Sequence, residues 1–168
     1  SPYAVAELAF TLALMQQRQT TLAVANAAKG QFQVLPQMFA TELHDLTVGI
    51  IGTGRIGQAE AELWRGVGAT VLGYDVYQND KAKELLTYVS ENELLAKSDI
   101  VSLHVPHFPG KNDAYFDASY VAKMKDGAVL VNTARAEITD QDAILAGVEV
   151  GKLRGFATDV IADERHYF

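Results

Sequence analysis

The chain has 168 residues, 49% hydrophobic and 21% charged, with a formal net charge of -7, which is the size and make-up of one globular domain able to bury a good core. That acidic balance, with no run of more than two Lys or Arg, excludes a nucleic-acid partner, since a phosphate-backbone binder needs a basic face. Zero cysteines exclude disulfides and thiolate metal sites and suit a reducing cytoplasm, while Leu8 to Met15, the longest nearly uncharged apolar run, is too short to cross a membrane.

Ser1 is placed to cap a first helix, with Pro2 at its first position, where a missing N–H costs nothing. Val5, Leu8, Ala9, Leu12 and Met15 recur at helical spacing, and the pattern runs to about Ala27. Such a helix ahead of the first strand suits packing on a missing domain or another subunit, or plain covering of the core. Residues 28–45, with Gly30, Pro36 and mixed polarity, read as loop. From 46 onward strand and helix alternate. A strand over about 47–51 is followed by a helix over roughly 55–67, with Ile56, Ala59, Leu63 and Val67 along its inner face. Next come a strand at 70–74, a helix near 80–86 and a short strand at Tyr88-Val89. Ser90 with Glu93 reads as a capping box for a helix ending near Lys97. Ile100 to His104 is an apolar strand buried on both faces. A helix near 117–124 precedes the strand Ala128 to Asn132, Asp140 caps a helix ending before Gly151, and Leu153 to Thr158 makes the sixth strand. The expected fold is α/β, a doubly wound parallel (Rossmann) sheet of about six strands ordered 3-2-1-4-5-6.

The most telling stretch is Gly52-Thr53-Gly54-Arg55-Ile56-Gly57, set between the first strand and its helix. Gly52 allows the tight turn, Gly54 lets the backbone approach a pyrophosphate, and Gly57 lets helix pack on strand. The helix N-terminus offers unpaired N–H groups and a partial positive charge to phosphates. Asp75, 18 residues after Gly57 at the end of the second strand, is placed to accept from a ribose diol and to repel a 2′-phosphate, which favours NAD over NADP. In such sheets ligands lie beyond the carboxyl ends of the strands, where strand order reverses. The site candidates are therefore Gly52 to Gly57, Asp75, His104-Val105-Pro106, Asn132-Thr133-Ala134-Arg135 and Asp159. His104 is expected to line the adenine pocket or to cap its strand. No metal is expected, because the four histidines show no paired ligand spacing.

At these strand ends the sequence resembles the D-isomer-specific 2-hydroxyacid dehydrogenases, most like the D-lactate and D-2-hydroxyisocaproate branch. The matching stretches are Val48-Gly49-Ile50-Ile51 through Gly57, Tyr74-Asp75, Ser98-Asp99-Ile100-Val101-Ser102-Leu103-His104-Val105-Pro106, Met124-Lys125 through Arg135, Gly151-Lys152-Leu153 and Asp159-Val160. The resemblance implies NAD as cofactor and a 2-oxo acid as small-molecule substrate. It also implies subunits paired as a homodimer through the nucleotide domain. Its catalytic arginine falls on Arg135 and its glutamate on Glu164, with Asp163 next door as the other candidate acid; its histidine lies past Phe168. It places Arg55 and Ile56 at the pyrophosphate, Val105 and Pro106 over the adenine side, and Asn112 on the nucleotide. Thr133 and Ala134 fall at the nicotinamide ribose and Asp159 at the nicotinamide amide. An asparagine in Asn112's position also serves turn geometry. In that family the nucleotide domain is inserted between two halves of a substrate domain. A chain opening at Ser1-Pro2 without an initiator Met and stopping in Asp163–Phe168 is then read as that insert, excised, and inactive on its own. The other readings are an NAD(H)-sensing binding protein of the co-repressor type, and a generic Rossmann protein for another nucleotide.

Overall fold

The computed structural model describes residues 1–162. Six strands, β1 (Thr47–Ile51), β2 (Thr70–Tyr74), β3 (Thr87–Tyr88), β4 (Ile100–Leu103), β5 (Ala128–Asn132) and β6 (Leu153–Thr158), form one sheet in the order β3-β2-β1-β4-β5-β6. Every pairing is parallel. The expected strand order is the observed one. The central strands β4 and β5 are buried at every position, because helices cover both faces of the sheet.

One face packs on α1 (Pro2–Arg18) and α3 (Arg55–Gly66), with Ala9, Ala13, Val48, Ile50, Trp64, Ile100 and Val129 in its core. Phe10 meets Trp64 edge to face, with ring centroids 4.5 Å apart. The other face carries α4 (Glu91–Lys97), α5 (Ala118–Lys123) and α6 (Gln141–Glu149) over Ile51, Leu103, Phe116, Leu130 and Ile144. Three caps are built from side chains. Ser90 accepts from the Glu93 N–H, Asp117 from Ser119 and Tyr120, and Asp140 from Ala143.

Three elements depart from the sequence reading. The first helix breaks at Gln19, which sits in the left-handed region (φ 52°, ψ 46°), and resumes as α2 (Thr20–Ala28). The break has a chemical cause. The Arg154 guanidinium, reaching across from β6, donates to the carbonyls of Gln16 and Gln17, and the Gln19 side-chain amide also caps Gln16. The helix-terminal carbonyls are thereby satisfied without a further turn. The helix expected near 80–86 is one 3-10 turn, Ala82–Glu84, with Asn79 capping Lys81. In α3 the buried stripe is Gly57, Ala59, Glu60, Ala61 and Trp64, whereas Val67 is exposed and Ile56 and Leu63 only half-buried. Gly57 sets this phase: a Cβ there would collide with the Gly52 carbonyl oxygen, so Gly57 must face the turn and its i+4 and i+7 neighbours must follow it inward.

Candidate dinucleotide site

The strands end in step. Ile51 is paired with Tyr74 on β2 and with Leu103 on β4, Leu103 with Asn132 on β5, and Asn132 with Thr158 on β6. The next residue on each strand is therefore Gly52, Asp75, His104, Thr133 and Asp159, a single row along the carboxyl edge of the sheet. Four inter-strand spacings, about 19 Å at roughly 4.8 Å each, separate the Asp75 end of that row from the Asp159 end. Strand order reverses between β1 and β4, and in sheets of this class the ligand crevice lies at that point.

The glycine turn lies at the switch point. Gly52 adopts φ +95°, and a Cβ there would stand 2.5 Å from the carbonyl oxygen of His104, so the turn and the end of β4 pack backbone to backbone. Gly54, the N-cap of α3, supplies no side-chain cap to the helix. The first N–H groups of α3 thus point outward without an intrahelical partner, as an anion site requires. Arg55 beside them is exposed and Ile56 half-buried.

Asp75 is joined to that turn. Its Oδ2 accepts from the Thr53 backbone N–H at 2.8 Å and from the Thr53 hydroxyl at 3.3 Å, and its Oδ1 accepts from the Tyr77 N–H at 3.4 Å. Beyond β4, Val105 is half-buried against the α4/α5 core and Pro106 is exposed. Asn112 is tied to Pro106 through its own loop, its amide donating to the Pro106 carbonyl and accepting from the Phe108 N–H. This is the turn-forming use of an asparagine. His107 and Asp113 close the same loop at 2.5 Å; that hydrogen bond, and a second from the Gly110 N–H, hold the Asp113 carboxyl below its ordinary value.

After β5 a short turn presents Thr133, Ala134 and Arg135. Asn132, fully buried, shapes it by accepting from the Ala134 N–H and donating to the Arg135 carbonyl. Arg135 projects from the edge, 58% exposed, against the Glu137 carboxylate at 3.2 Å. The Glu137 carboxyl lies below its ordinary value, first through its own backbone N–H and then through Arg135. After β6, the Thr158 hydroxyl accepts from the Val160 N–H and lies 2.7 Å from both the Asn132 and Val160 carbonyls, between which its single hydrogen is shared, fixing the turn that exposes Asp159. Gln141 accepts from the Ala162 N–H just beyond. Glu164 and its alternative Asp163 lie outside the described residues.

Two side chains with a bearing on the site escaped the sequence reading. Glu60 on α3 is fully buried, and its carboxylate accepts from Trp64 Nε1 at 2.7 Å and from the Ser102 hydroxyl at 2.6 Å. His104 Nε2 lies 2.6 Å from the same carboxylate. The His104 side chain therefore turns under α3, neither lining an adenine pocket nor capping its strand. Its carbonyl stays against Gly52 while its ring is anchored to the helix that Gly57 begins. Tyr88 reaches from β3 to the Thr53 hydroxyl at 2.5 Å. No sequence signal marks either residue, since a helical glutamate and an edge-strand tyrosine are ordinary surface choices. The remaining histidine cluster, His44 with Glu42 and Asp45 at 3.2 and 3.4 Å, is exposed and sits at the amino ends of the strands, on the opposite edge.

The donor set fits a dinucleotide. The turn has no room for side chains at Gly52 and Gly57, the helix N-terminus faces the crevice, and Asp75 waits one strand away. In addition, the buried Thr133 hydroxyl has no hydrogen-bond partner among the described residues, at the point on the row next to Arg135. Fold and site together define a nucleotide-binding domain of the doubly wound class. The sequence pattern of the family described as "D-isomer specific 2-hydroxyacid dehydrogenase, NAD binding domain" matches residues 10–167, and the chain belongs to that family as its NAD-binding domain. It is 44% identical over 167 residues to a D-lactate dehydrogenase of Treponema pallidum, covering 99% of this chain and 50% of that protein. It is 40% identical to a D-lactate dehydrogenase of Lactiplantibacillus plantarum over all of this chain and 50% of that one. The crystal structure of D-lactate dehydrogenase from Aquifex aeolicus complexed with NAD and lactic acid superposes with a TM-score of 0.93 at 37% identity, over 99% of this chain and 50% of that one. The chain thus spans about half the length of the curated relatives it matches. Among the described residues no helix is long and apolar enough to cross a membrane.

Proposed function

We propose that this chain is the cofactor-holding part of an NAD-dependent oxidoreductase that exchanges hydride between NAD(H) and a D-2-hydroxy acid/2-oxo acid pair, D-lactate or a branched-chain analogue. The observation that carries the reading is the row of strand ends, which puts an exposed arginine, Arg135, on the same edge as the glycine turn and beside the unpartnered Thr133 hydroxyl. Bound NAD supplies the hydride donor or acceptor, so the protein's part is binding, orientation and charge. Gly52, Gly54, Arg55, Ile56 and Gly57 receive the pyrophosphate on the α3 N-terminus, and Asp75 takes the adenosine ribose. Val105 and Pro106 flank the adenine, with Asn112 bracing them. Thr133 and Ala134 line the nicotinamide ribose, and Asp159 holds the amide. Arg135, a planar and permanently charged fork, leaves Glu137 to grip the 2-oxo acid's carboxylate and polarise its carbonyl. Glu164 orients a histidine of the substrate domain and raises its pKa, making imidazolium a competent acid for the developing alkoxide.

The relatives above are named for a reaction, which supports an enzyme over a nucleotide-sensing protein. We place the reaction in the cytoplasm, where a soluble NAD(H) pool is available, and pair the subunits through this domain. In support of pairing, α2 has no buried residue, and Val24, Phe32, Val34 and Phe39 stand exposed along and after it. A second copy would cover them, and a monomeric mass by light scattering of the intact protein would refute this. The activity itself is tested with the intact protein, NADH, and pyruvate or 2-oxoisocaproate. Absence of turnover on any 2-oxo acid would sink the enzyme reading, and failure of this domain to quench or enhance NADH fluorescence would sink the cofactor reading as well.

A further inference from the structure

We infer that Tyr88 is a positioning residue for coenzyme choice: through Thr53 it fixes the Asp75 carboxylate in the orientation that accepts a ribose diol and turns away a 2′-phosphate. The inference rests on Asp75 contacting the adenosine ribose, as proposed above.

Either hydroxyl of the Tyr88–Thr53 pair can be the donor, and one of the two arrangements directs every hydrogen toward Asp75. The Asn79 N–H donates to the Tyr88 oxygen at 2.9 Å, so the phenol's own hydrogen is free for the Thr53 hydroxyl 2.5 Å away. In that arrangement Thr53, having accepted it, spends its hydrogen on Asp75 Oδ2, which also accepts the Thr53 backbone N–H. The relay runs Asn79 to Tyr88 to Thr53 to Asp75, and every hydrogen in it points toward the carboxylate. Oδ2 is thereby committed to the protein. Oδ1 keeps only the long contact to the Tyr77 N–H among the described residues, and it is the oxygen available to a diol. Thr53 is itself buried, so the relay is shielded from competing water.

The fold packs the Tyr88 ring against the core under α1 and α3 and leaves its hydroxyl for this task. β3 is an edge strand of two residues, Thr87 and Tyr88, registered on Leu72 and Gly73 of β2. That register stops β3 one residue short of Tyr74 and sends the Tyr88 ring across the end of β2 to the glycine turn on β1. Holding Asn79, the same phenol ties down the segment 76–79, whose Val76 and Tyr77 stand exposed directly after Asp75. A carboxylate locked at Oδ2 by two donors costs little to organise when the diol arrives, and it cannot swing aside to admit a phosphate.

The test is Tyr88→Phe in the full chain, which keeps the ring and removes only the hydroxyl, read by fluorescence titration with NADH and, separately, NADPH. The expected result is a loss of about three- to tenfold in NADH affinity, with NADPH affinity unchanged or improved, so that the preference for NADH narrows by at least that factor. Thr53→Val, which cuts the relay but keeps the backbone N–H to Asp75, should narrow it likewise, and Thr53→Ser should restore it. If Tyr88→Phe does not fold, the two Thr53 variants decide alone. Equal loss for both coenzymes, or no loss for either, overturns the inference and leaves Tyr88 a packing residue. Asp75→Ala tests the underlying reading separately: should it leave the NADH/NADPH preference unmoved, Asp75 does not contact the ribose at all.

Discussion

Replacing Glu60 by alanine removes the acceptor shared by three buried groups, and its cost can be worked from their geometry. Trp64 Nε1–H and one imidazole N–H of His104 lose their partner at 2.7 and 2.6 Å, while the Ser102 hydroxyl can rotate elsewhere. Two stranded donors at about 1–3 kcal/mol each, with a small cavity added, come to about 4 kcal/mol. Glutamine behaves differently. Turned with its oxygen to Trp64, its amide nitrogen donates to Ser102 Oγ and to a His104 Nε2 that has moved its proton to Nδ1, so Trp64 Nε1, Ser102 Oγ and His104 Nε2 each keep a partner. Glu60→Gln should therefore cost only about 1 kcal/mol. For a domain this size a kilocalorie moves the melting temperature by about 2–4 °C, so the two variants separate clearly: about 8–16 °C for alanine and about 2–4 °C for glutamine. Thermal unfolding by circular dichroism, paired with denaturant titration, reads both. Glu60→Gln falling as far as Glu60→Ala would refute the reasoning, because the site would then need the negative charge itself. A loss under about 1 kcal/mol for alanine would equally show that the buried donors find other partners.

Gly57→Ala forces a Cβ into the Gly52 carbonyl, so NADH affinity should fall by more than about tenfold while a Gly66→Ala control, where a Cβ meets open space, leaves it unchanged; equal behaviour would remove the glycine turn from the site. In the intact enzyme Arg135→Gln should lower kcat/KM for a 2-oxo acid by about 10²–10³ with NADH affinity within about twofold, and steady-state kinetics beside coenzyme titration would expose the opposite pattern. Arg154→Ala strips one side chain from the carbonyls of Gln16, Gln17, Gln37 and Phe39, and should raise hydrogen exchange around 36–39 with a loss of about 2 kcal/mol; unchanged protection there would count against it. The His107–Asp113 closure depends on pH with a definite sign. The Asp113 carboxyl is depressed, so the closure is complete above its ordinary value of 3.8 and is lost as pH falls through the lower folded value. Chemical shifts of Gly110 and Asp113 should move only below 3.8, and a transition confined to higher pH would refute Asp113 as the group that titrates.

What the sequence made legible was whatever depends on backbone geometry. Gly52 and Gly57 announce themselves because no other residue fits where they stand, and the largely apolar runs at 47–51, 100–103 and 128–132 because burial on both faces leaves few polar positions. Since parallel strands in one register end together, the row from Asp75 to Asp159 followed from the strand ends alone. What stayed hidden depends on long-range pairing. Gln19 carries no breaking signal of its own; the helix stops there because Arg154, more than a hundred residues away, takes its carbonyls. Glu60 reads as a solvent-facing position, and the inner face of α3 was misphased by the apolar Ile56, Leu63 and Val67. The collision that fixes the phase, between Gly57 and the Gly52 carbonyl, is a contact across the turn and not a period.

That contact also explains why a charged residue is tolerated inside the sheet–helix layer. Once Gly57 faces the turn, position 60 must face β4, and an apolar side chain there would leave the Trp64 indole N–H without an acceptor and the Ser102 hydroxyl without its shortest contact. A carboxylate answers both and reaches His104 as a third partner. It thereby ties α3, which presents its N-terminus to phosphate, to the β4 end whose carbonyl supports Gly52. The pyrophosphate turn is thus gripped from two sides, by backbone packing of Gly52 on His104 and by the His104 ring on Glu60. Loosening Glu60 should consequently weaken NADH binding beyond what the loss of global stability predicts. Glu60→Ala titrated with NADH well below its melting temperature makes the comparison, and unchanged affinity there would separate the buried network from the coenzyme site.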